Sequence, residues 1–301
     1  MKLVLRTSLA AMAIVLLAAL HLPAQSRHNI KGTDADNEVL TVTAARTDNK
    51  TDPIKLESLY LYENGFEQKI KNFVVDPSPS RIVILVDNSE TLGTSVEKMK
   101  AAAMEFAYEI YDGDQLFVVA YDEKPAIIQE WTDDPKKMER SFGLFRKKGN
   151  PNLFDALAVT VNEVLLPLMP GTRKTAIVVI SDGLDRGSKT KFNDVLALLQ
   201  KNNVTLYSLQ IDDRTSGAYR RDQPKAPQVI TRLAEETGGQ VFDFKEPQTA
   251  AKAICDELRK NRYLLSYVPS DIASLDARRL LLTAGEGVTI RTKAVQPATV
   301  K

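Results

Sequence analysis

The stretch RIVILVDNSETLG, from Arg81 to Gly93, limits what this chain can fold into more than any other. Five consecutive apolar residues, Ile82 to Val86, run straight into the oxygen-bearing side chains of Asp87, Asn88, Ser89, Glu90 and Thr91. A short apolar run closed by polar turn residues reads as a strand buried on both faces, which places it inside a sheet covered by helices. In such a sheet, ligands sit beyond the carboxyl ends of the strands. Asp87, Ser89 and Thr91 are therefore positioned to hold something, and hard oxygens suit a hard cation such as magnesium.

Downstream the chain alternates strand and helix patterns, the grammar of an α/β fold with a doubly wound, mainly parallel sheet and helices on both faces. Strands are expected at 81–86, 115–121, 126–131, 174–180, 203–211 and 240–244, and helices at 95–111, 135–146, 153–167, 191–202, 227–237 and 248–261. Asp112-Gly113 and Gly238-Gly239 mark helix ends. The segment from Asp212 to Pro227 reads as a long solvated loop, with a binding surface formed by Arg214, Arg220 and Arg221 as the alternative.

Upstream, residues 38–76 alternate apolar and polar side chains around Glu63-Asn64-Gly65, predicting an antiparallel β unit with a tight hairpin turn. Tyr60 and Tyr62 share one strand face and are expected to pack against a neighbour. The tail, 263–301, returns to β patterning, so a central domain over 81–262 carries small antiparallel β extensions at both ends. Lys2 and Arg6 precede an apolar run from Leu9 to Leu22 and the exit Pro23-Ala24-Gln25-Ser26, the plan of a secretory signal peptide over residues 1–24. The run of about 14 residues is short of the ~20 a membrane-spanning helix needs, so no stable span is expected after cleavage. A polar leader, 25–37, has the composition of a disordered segment. The expected location is periplasmic, cell-surface or secreted.

Several chemistries are excluded by what is missing. His21 and His28 are the only histidines and both lie at the N-terminus, which removes a histidine base, a Ser/His/Asp triad and a His-rich zinc site from the folded part. Cys255 is the single cysteine and sits on the apolar side of a helical pattern, as a buried thiol does. With 40 Lys and Arg against 39 Asp and Glu, nothing marks a nucleic-acid surface. Neither a Walker A loop nor a dinucleotide glycine fingerprint is present, so no nucleotide is expected. A second carboxylate does follow a buried strand: Lys174 to Ile180 ends in Ser181-Asp182-Gly183-Leu184-Asp185. Between the two strand ends, Lys148-Gly149-Asn150-Pro151-Asn152 opens a helix and supplies a third loop.

From about Arg81 to Asn261 the chain resembles a von Willebrand factor type A domain. That family writes its metal-ion-dependent adhesion site as Asp-x-Ser-x-Ser after the first strand, a Thr on a middle loop and an Asp, commonly Asp-Gly, after the fourth strand. Asp87, Ser89 and Thr91 match the first element with Thr replacing the last Ser, and Asp182-Gly183 matches the last. The stretch from Leu233 to Phe242, LAEETGGQVF, is typical of the family's last helix-to-strand passage. The middle loop departs, because the family's Thr falls on Pro151, which has no side-chain oxygen. The flanks, from Leu59 to Phe73 and from Leu258 to Pro269, resemble a bacterial exported branch of the family with β extensions.

The resemblance implies a non-enzymatic protein-binding module. A divalent cation, Mg2+ first with Mn2+ or Ca2+ as alternatives, would be held by Ser89 and Thr91 with Asp87 and Asp182 in support, leaving a position open for a partner's Asp or Glu. Asn150, Asn152 and Asp185 are auxiliary candidates for metal or partner contact. Two other readings stay open. In a metal-free interaction module, Ser89 and Thr91 cap the following helix and Asp182 binds its own turn. In a metal-dependent phosphohydrolase of the haloacid dehalogenase type, Asp87 would be the nucleophile, but Ser89 stands where that family carries a second Asp as general acid.

Overall fold

The computed structural model describes residues 37–48, 50–169, 174–212, 223–270 and 276–298. The proposed signal peptide, the leader up to residue 36, and Arg214, Arg220 and Arg221 lie outside the described residues. Of two units, Met1–Asn37 and Glu38–Lys301, the second carries every described helix and strand.

Six strands form the central sheet: β5 (Arg81–Asp87), β6 (Gln115–Tyr121), β7 (Pro125–Thr132), β8 (Thr175–Ser181), β9 (Thr205–Gln210) and β10 (Val241–Asp243). Their order is β10-β9-β8-β5-β6-β7, all parallel except the antiparallel edge strand β7. The apolar run predicts this centre. Ile82, Ile84 and Val86 pack against one helical layer and Val83 and Leu85 against the other, and full burial of each such side chain stabilises by roughly 1.5–3 kcal/mol. One layer contains α1 (Val96–Glu109), α2 (Pro135–Ser141) and α6 (Pro247–Lys260); the other contains α3 (Leu153–Val159), α4 (Phe192–Lys201) and α5 (Ala226–Glu235). Cys255 is buried in the first layer, as its helical spacing predicts.

Two predicted helices end early. The one expected over 135–146 becomes a 3-10 turn at Phe142–Leu144. The one expected over 153–167 widens after α3 into a π turn, Thr160–Leu165, and closes as a 3-10 turn, Leu166–Leu168. Pro167 explains the second case: it has no N–H for the helical ladder and its ring would clash with the carbonyl of Glu163, so the preceding turn widens.

Strands from both ends of the chain interleave. One sheet has the order β13 (Val288–Arg291), β1 (Glu38–Arg46), β11 (Arg262–Tyr267), β4 (Ile70–Val75); another runs β14 (Val295–Gln296), β12 (Arg278–Ala284), β2 (Leu59–Glu63), β3 (Phe66–Gln68). They enclose a core of Leu40, Val42, Leu61, Leu265, Tyr267 and Leu282. Asn64 and Gly65, with φ of 50° and 87°, make the tight β2–β3 turn. The expectation that Tyr60 packs against a neighbour fails: it is 46% exposed, because the alternate set Leu59 and Leu61 is the one turned to the core.

Candidate functional site

The helices after β5 and β8 leave toward opposite faces of the sheet, α1 into one layer and α4 into the other. The crevice beyond these two adjacent strands is thus a topological switch point, and Asp87 and Asp182 stand at its two lips. Asp87 is 0% exposed. Its Oδ1 accepts the backbone N–H of Ser89 at 2.9 Å and its Oδ2 accepts the Ser181 hydroxyl at 3.0 Å. The Tyr121 hydroxyl has one proton to place between Ser181 Oγ at 2.9 Å and Asp87 Oδ2 at 3.2 Å. Burial pushes the Asp87 carboxyl above its usual range, and the bonds from Ser89, Ser181 and Tyr121 pull it back in part. Burial, followed by the Asp87 charge, raises the Tyr121 phenol well above its usual range.

Tyr121 and Ser181 were missed from the sequence. Each is the polar-tipped residue that closes an apolar run within its strand, Leu116–Ala120 and Ala176–Ile180, and that position is the signal that finds them.

Three loops meet in the crevice. The first docks on the middle loop through Glu90 N–H to the Gly149 carbonyl at 3.1 Å and Lys148 N–H to the Asn88 carbonyl at 2.9 Å. The middle loop docks on the third through Arg186 N–H to the Pro151 carbonyl at 2.8 Å. Ser89 is buried and Thr91 half-buried, and their hydroxyl oxygens stand 3.1 Å apart. They do not cap α1, whose N-cap is Ser95, accepting from Lys98 N–H at 3.3 Å. Asp182, 3% exposed, does bind its own turn, its Oδ1 accepting Leu184 N–H at 2.9 Å.

These residues suit a divalent ion on two counts. Adjacent ligands of an octahedral magnesium shell at ~2.0–2.1 Å stand roughly 2.9 Å apart, close to the Ser89–Thr91 separation. Asp87, moreover, is a buried carboxylate whose described partners are all neutral donors, and a cation would supply the missing charge. Among the described residues no group of three or more His, Cys, Asp or Glu is placed to hold a metal, so the candidate set is two carboxylates and two hydroxyls.

The auxiliary candidates separate in space. Asn150 is exposed and, with Glu123, Lys124, Asn152, Arg186 and Gly187, lines a surface cavity of about 420 Å³. Asn152 donates its amide to the Glu123 carbonyl at 3.0 Å, and its buried Oδ1 has no hydrogen-bond partner. Asp185 is buried under α3, where its Oδ1 accepts Phe154 N–H at 3.3 Å and the Ser188 hydroxyl at 2.5 Å. Asp155 returns the bond from α3, accepting Lys189 N–H at 2.9 Å and Thr190 N–H at 2.8 Å.

The fold and crevice define an α/β domain with an oxygen-lined cleft at its switch point. Residues 82–184 match the family model of the von Willebrand factor type A domain. Among solved structures, an aerotolerance-related membrane protein from Bacteroides fragilis is 17% identical with a TM-score of 0.48, over 60% of this chain and 99% of that one. A von Willebrand factor type A protein from Catenulispora acidiphila is 10% identical with a TM-score of 0.49, over 87% and 74%. Proximal thread matrix protein 1 from the mussel byssus, with a zinc-occupied MIDAS motif, is 14% identical with a TM-score of 0.47, over 65% and 49%. No curated protein matches the chain.

Proposed function

We propose that this is an exported, non-enzymatic protein-binding module that engages a partner's Asp or Glu through a divalent cation, Mg2+ first among candidates. The observation that carries the reading is the meeting of three loops, two of them at strand ends, with the Ser89 and Thr91 hydroxyls 3.1 Å apart beside the buried carboxylates Asp87 and Asp182. Ser89 and Thr91 would hold the ion directly, and Asp87 and Asp182 would support it. With few anionic direct ligands, a bound ion keeps its attraction for an incoming carboxylate. Pro151 brings no side-chain oxygen and its carbonyl already serves Arg186, so the middle loop acts through Asn150 and Asn152 on the partner side.

The phosphohydrolase reading loses support from the same geometry. A nucleophile needs a free oxygen facing substrate, whereas both Asp87 oxygens accept protein hydrogen bonds under full burial. In this reading residues 1–24 direct export, 81–262 bind the partner, and the β extensions, 38–76 and 263–301, support that domain from its other end. No helix among the described residues is long and apolar enough to cross a membrane.

Titration calorimetry with MgCl2 and MnCl2 tests the proposal on the wild type and on Asp87→Ala and Ser89→Ala. Saturable heat is expected from the wild type, weakened at least tenfold in both variants. No heat from a folded wild type sinks the metal, and turnover of a generic phosphoester that vanishes in Asp87→Asn would return the enzyme.

A further inference from the structure

The widened turn after α3 has a counterpart on the sheet. Between it and the edge strand β7 lies a groove of about 580 Å³, floored and walled by Phe117, Val119, Ile127, Trp131, Val164 and Pro167. That volume is in the range of pockets that seat a ligand. Trp131 packs tilted on Phe117 with ring centroids 5.2 Å apart, and Ile127 is left 59% exposed at the rim.

Three features show what the groove lacks. Thr160, a lining residue at the first position of the π turn, is 1% exposed, yet its Oγ1 has no hydrogen-bond partner. A buried hydroxyl without a partner is costly, and π turns recur at functional sites. The other wall, β7, pairs only with β6, so one side of its backbone has no strand beside it among the described residues. The charged residues lining the groove are Glu130 and Glu163, both exposed and both acidic.

We propose that this groove docks an extended peptide segment of a partner protein, seating one apolar side chain beside Trp131 with Lys or Arg on the flanking positions. A peptide meets all three needs at once. Its side chain covers the apolar floor, its backbone offers donors and acceptors to Thr160 and to the open side of β7, and its cations answer Glu130 and Glu163. A small apolar molecule would leave the hydroxyl and the strand edge unmet. The site stands apart from the crevice at Asp87 and needs no metal.

Trp131 is the chain's only tryptophan, so its emission reports occupancy directly. The probe is the blocked peptide acetyl-Lys-Val-Leu-Val-Lys-amide, titrated with the full chain beside its twin with Glu at both ends and beside isopentylamine, which has the leucine side chain's apolar group and one ammonium charge without a backbone. The basic peptide is expected to give a saturable blue shift, and the acidic twin and the amine to bind at least tenfold more weakly. Glu130→Lys with Glu163→Lys should reverse the preference between the two peptides. Thr160→Val should weaken the basic peptide several-fold while raising the melting temperature by about 2–4 °C, since it removes an unsatisfied buried hydroxyl. Asp87→Ala and chelator should leave the shift unchanged, which separates this site from the metal reading.

No emission change with the basic peptide overturns the proposal, as does equal binding by the amine. Loss of the shift in Asp87→Ala would move the peptide to the crevice and overturn it as well. Should Thr160→Val fail to fold, Val164→Lys closes the groove from its rim, and an unchanged titration in that variant is equally fatal.

Discussion

Gly183 sits immediately after Asp182 with φ of +84°, and a Cβ added there would lie 2.3 Å from the Ala226 carbonyl oxygen and 2.7 Å from Ile230 Cγ1. Two costs follow for Gly183→Ala. The left-handed backbone costs an L-residue roughly 1–2 kcal/mol. The contact cannot be relieved by turning a side chain, because its nearest partner is backbone at the first residue of α5; overpacking of this kind costs roughly 1–3 kcal/mol. Together the variant should lose about 2–5 kcal/mol, seen in urea unfolding as a lower midpoint at unchanged slope. At about 2–4 °C per kcal/mol for a unit of this size, the melting temperature should fall by roughly 4–20 °C. Gly143→Ala is the control, since nothing lies within 4 Å of its added Cβ, and it should stay within about 0.5 kcal/mol of wild type. If Gly183→Ala unfolds within that same margin, the third loop is not braced on α5 as described. If it is destabilised as expected, metal heat should weaken with it, because Asp182 is carried on the same turn.

Lys293 is buried and donates to the Gln200 carbonyl at 2.9 Å, and burial pushes its ammonium down from 10.5 to about 8. Between those values the unfolded chain holds the extra proton, so stability should rise with pH. At 1.36 kcal/mol per pH unit the gain is roughly 3 kcal/mol. Urea titrations of wild type and Lys293→Met at pH 7 and pH 10.5 should show wild type gaining about that much relative to the variant, and a constant difference refutes it. Asp185→Ala removes an acceptor of Phe154 N–H at the start of α3 and should cost at least ~1 kcal/mol, as the loss of a helix cap does. Hydrogen exchange should quicken at Phe154, and unchanged protection there would show that the helix start does not depend on Asp185.

The sheet was legible because its signal is local. Ile82 to Val86 must be a strand buried on both faces wherever the chain goes next, and the alternation that follows leaves little choice of topology. What could not be read was which polar atoms meet across loops. Asp185 looks like a second site carboxylate by its spacing from Asp182, yet its oxygen serves a helix that begins about thirty residues earlier in the chain. Tyr121 and Ser181 reach Asp87 only through the β6-β5-β8 neighbourhood, which no run of residues encodes. The helical period from Leu153 to Pro167 reads as continuous because periodicity reports which side chains are apolar. It does not report which carbonyl each N–H reaches, and Pro167 changes the second without disturbing the first.

The two ends of the central sheet do different work. At the amino ends of the strands, Arg262 donates to Thr43 and to Thr205, the first residue of β9, tying the β extensions to the domain. On the same side, Glu257 of α6 accepts the Tyr207 hydroxyl at 2.5 Å and pairs with Arg291 at 2.5 Å, and Ala294 N–H reaches the Glu236 carbonyl beyond α5 at 3.0 Å. These bonds join residues far apart in sequence, so they close long loops. They also leave the carboxyl ends, where Asp87 and Asp182 stand, free of strand cover among the described residues. The proposed binding needs an open mouth and a firm base, and strands from both ends of the chain supply the base. Cutting the tie with Arg262→Ala should therefore lower stability while leaving metal heat in the folded fraction unchanged. Loss of the heat in protein that remains folded would show that the two ends are coupled.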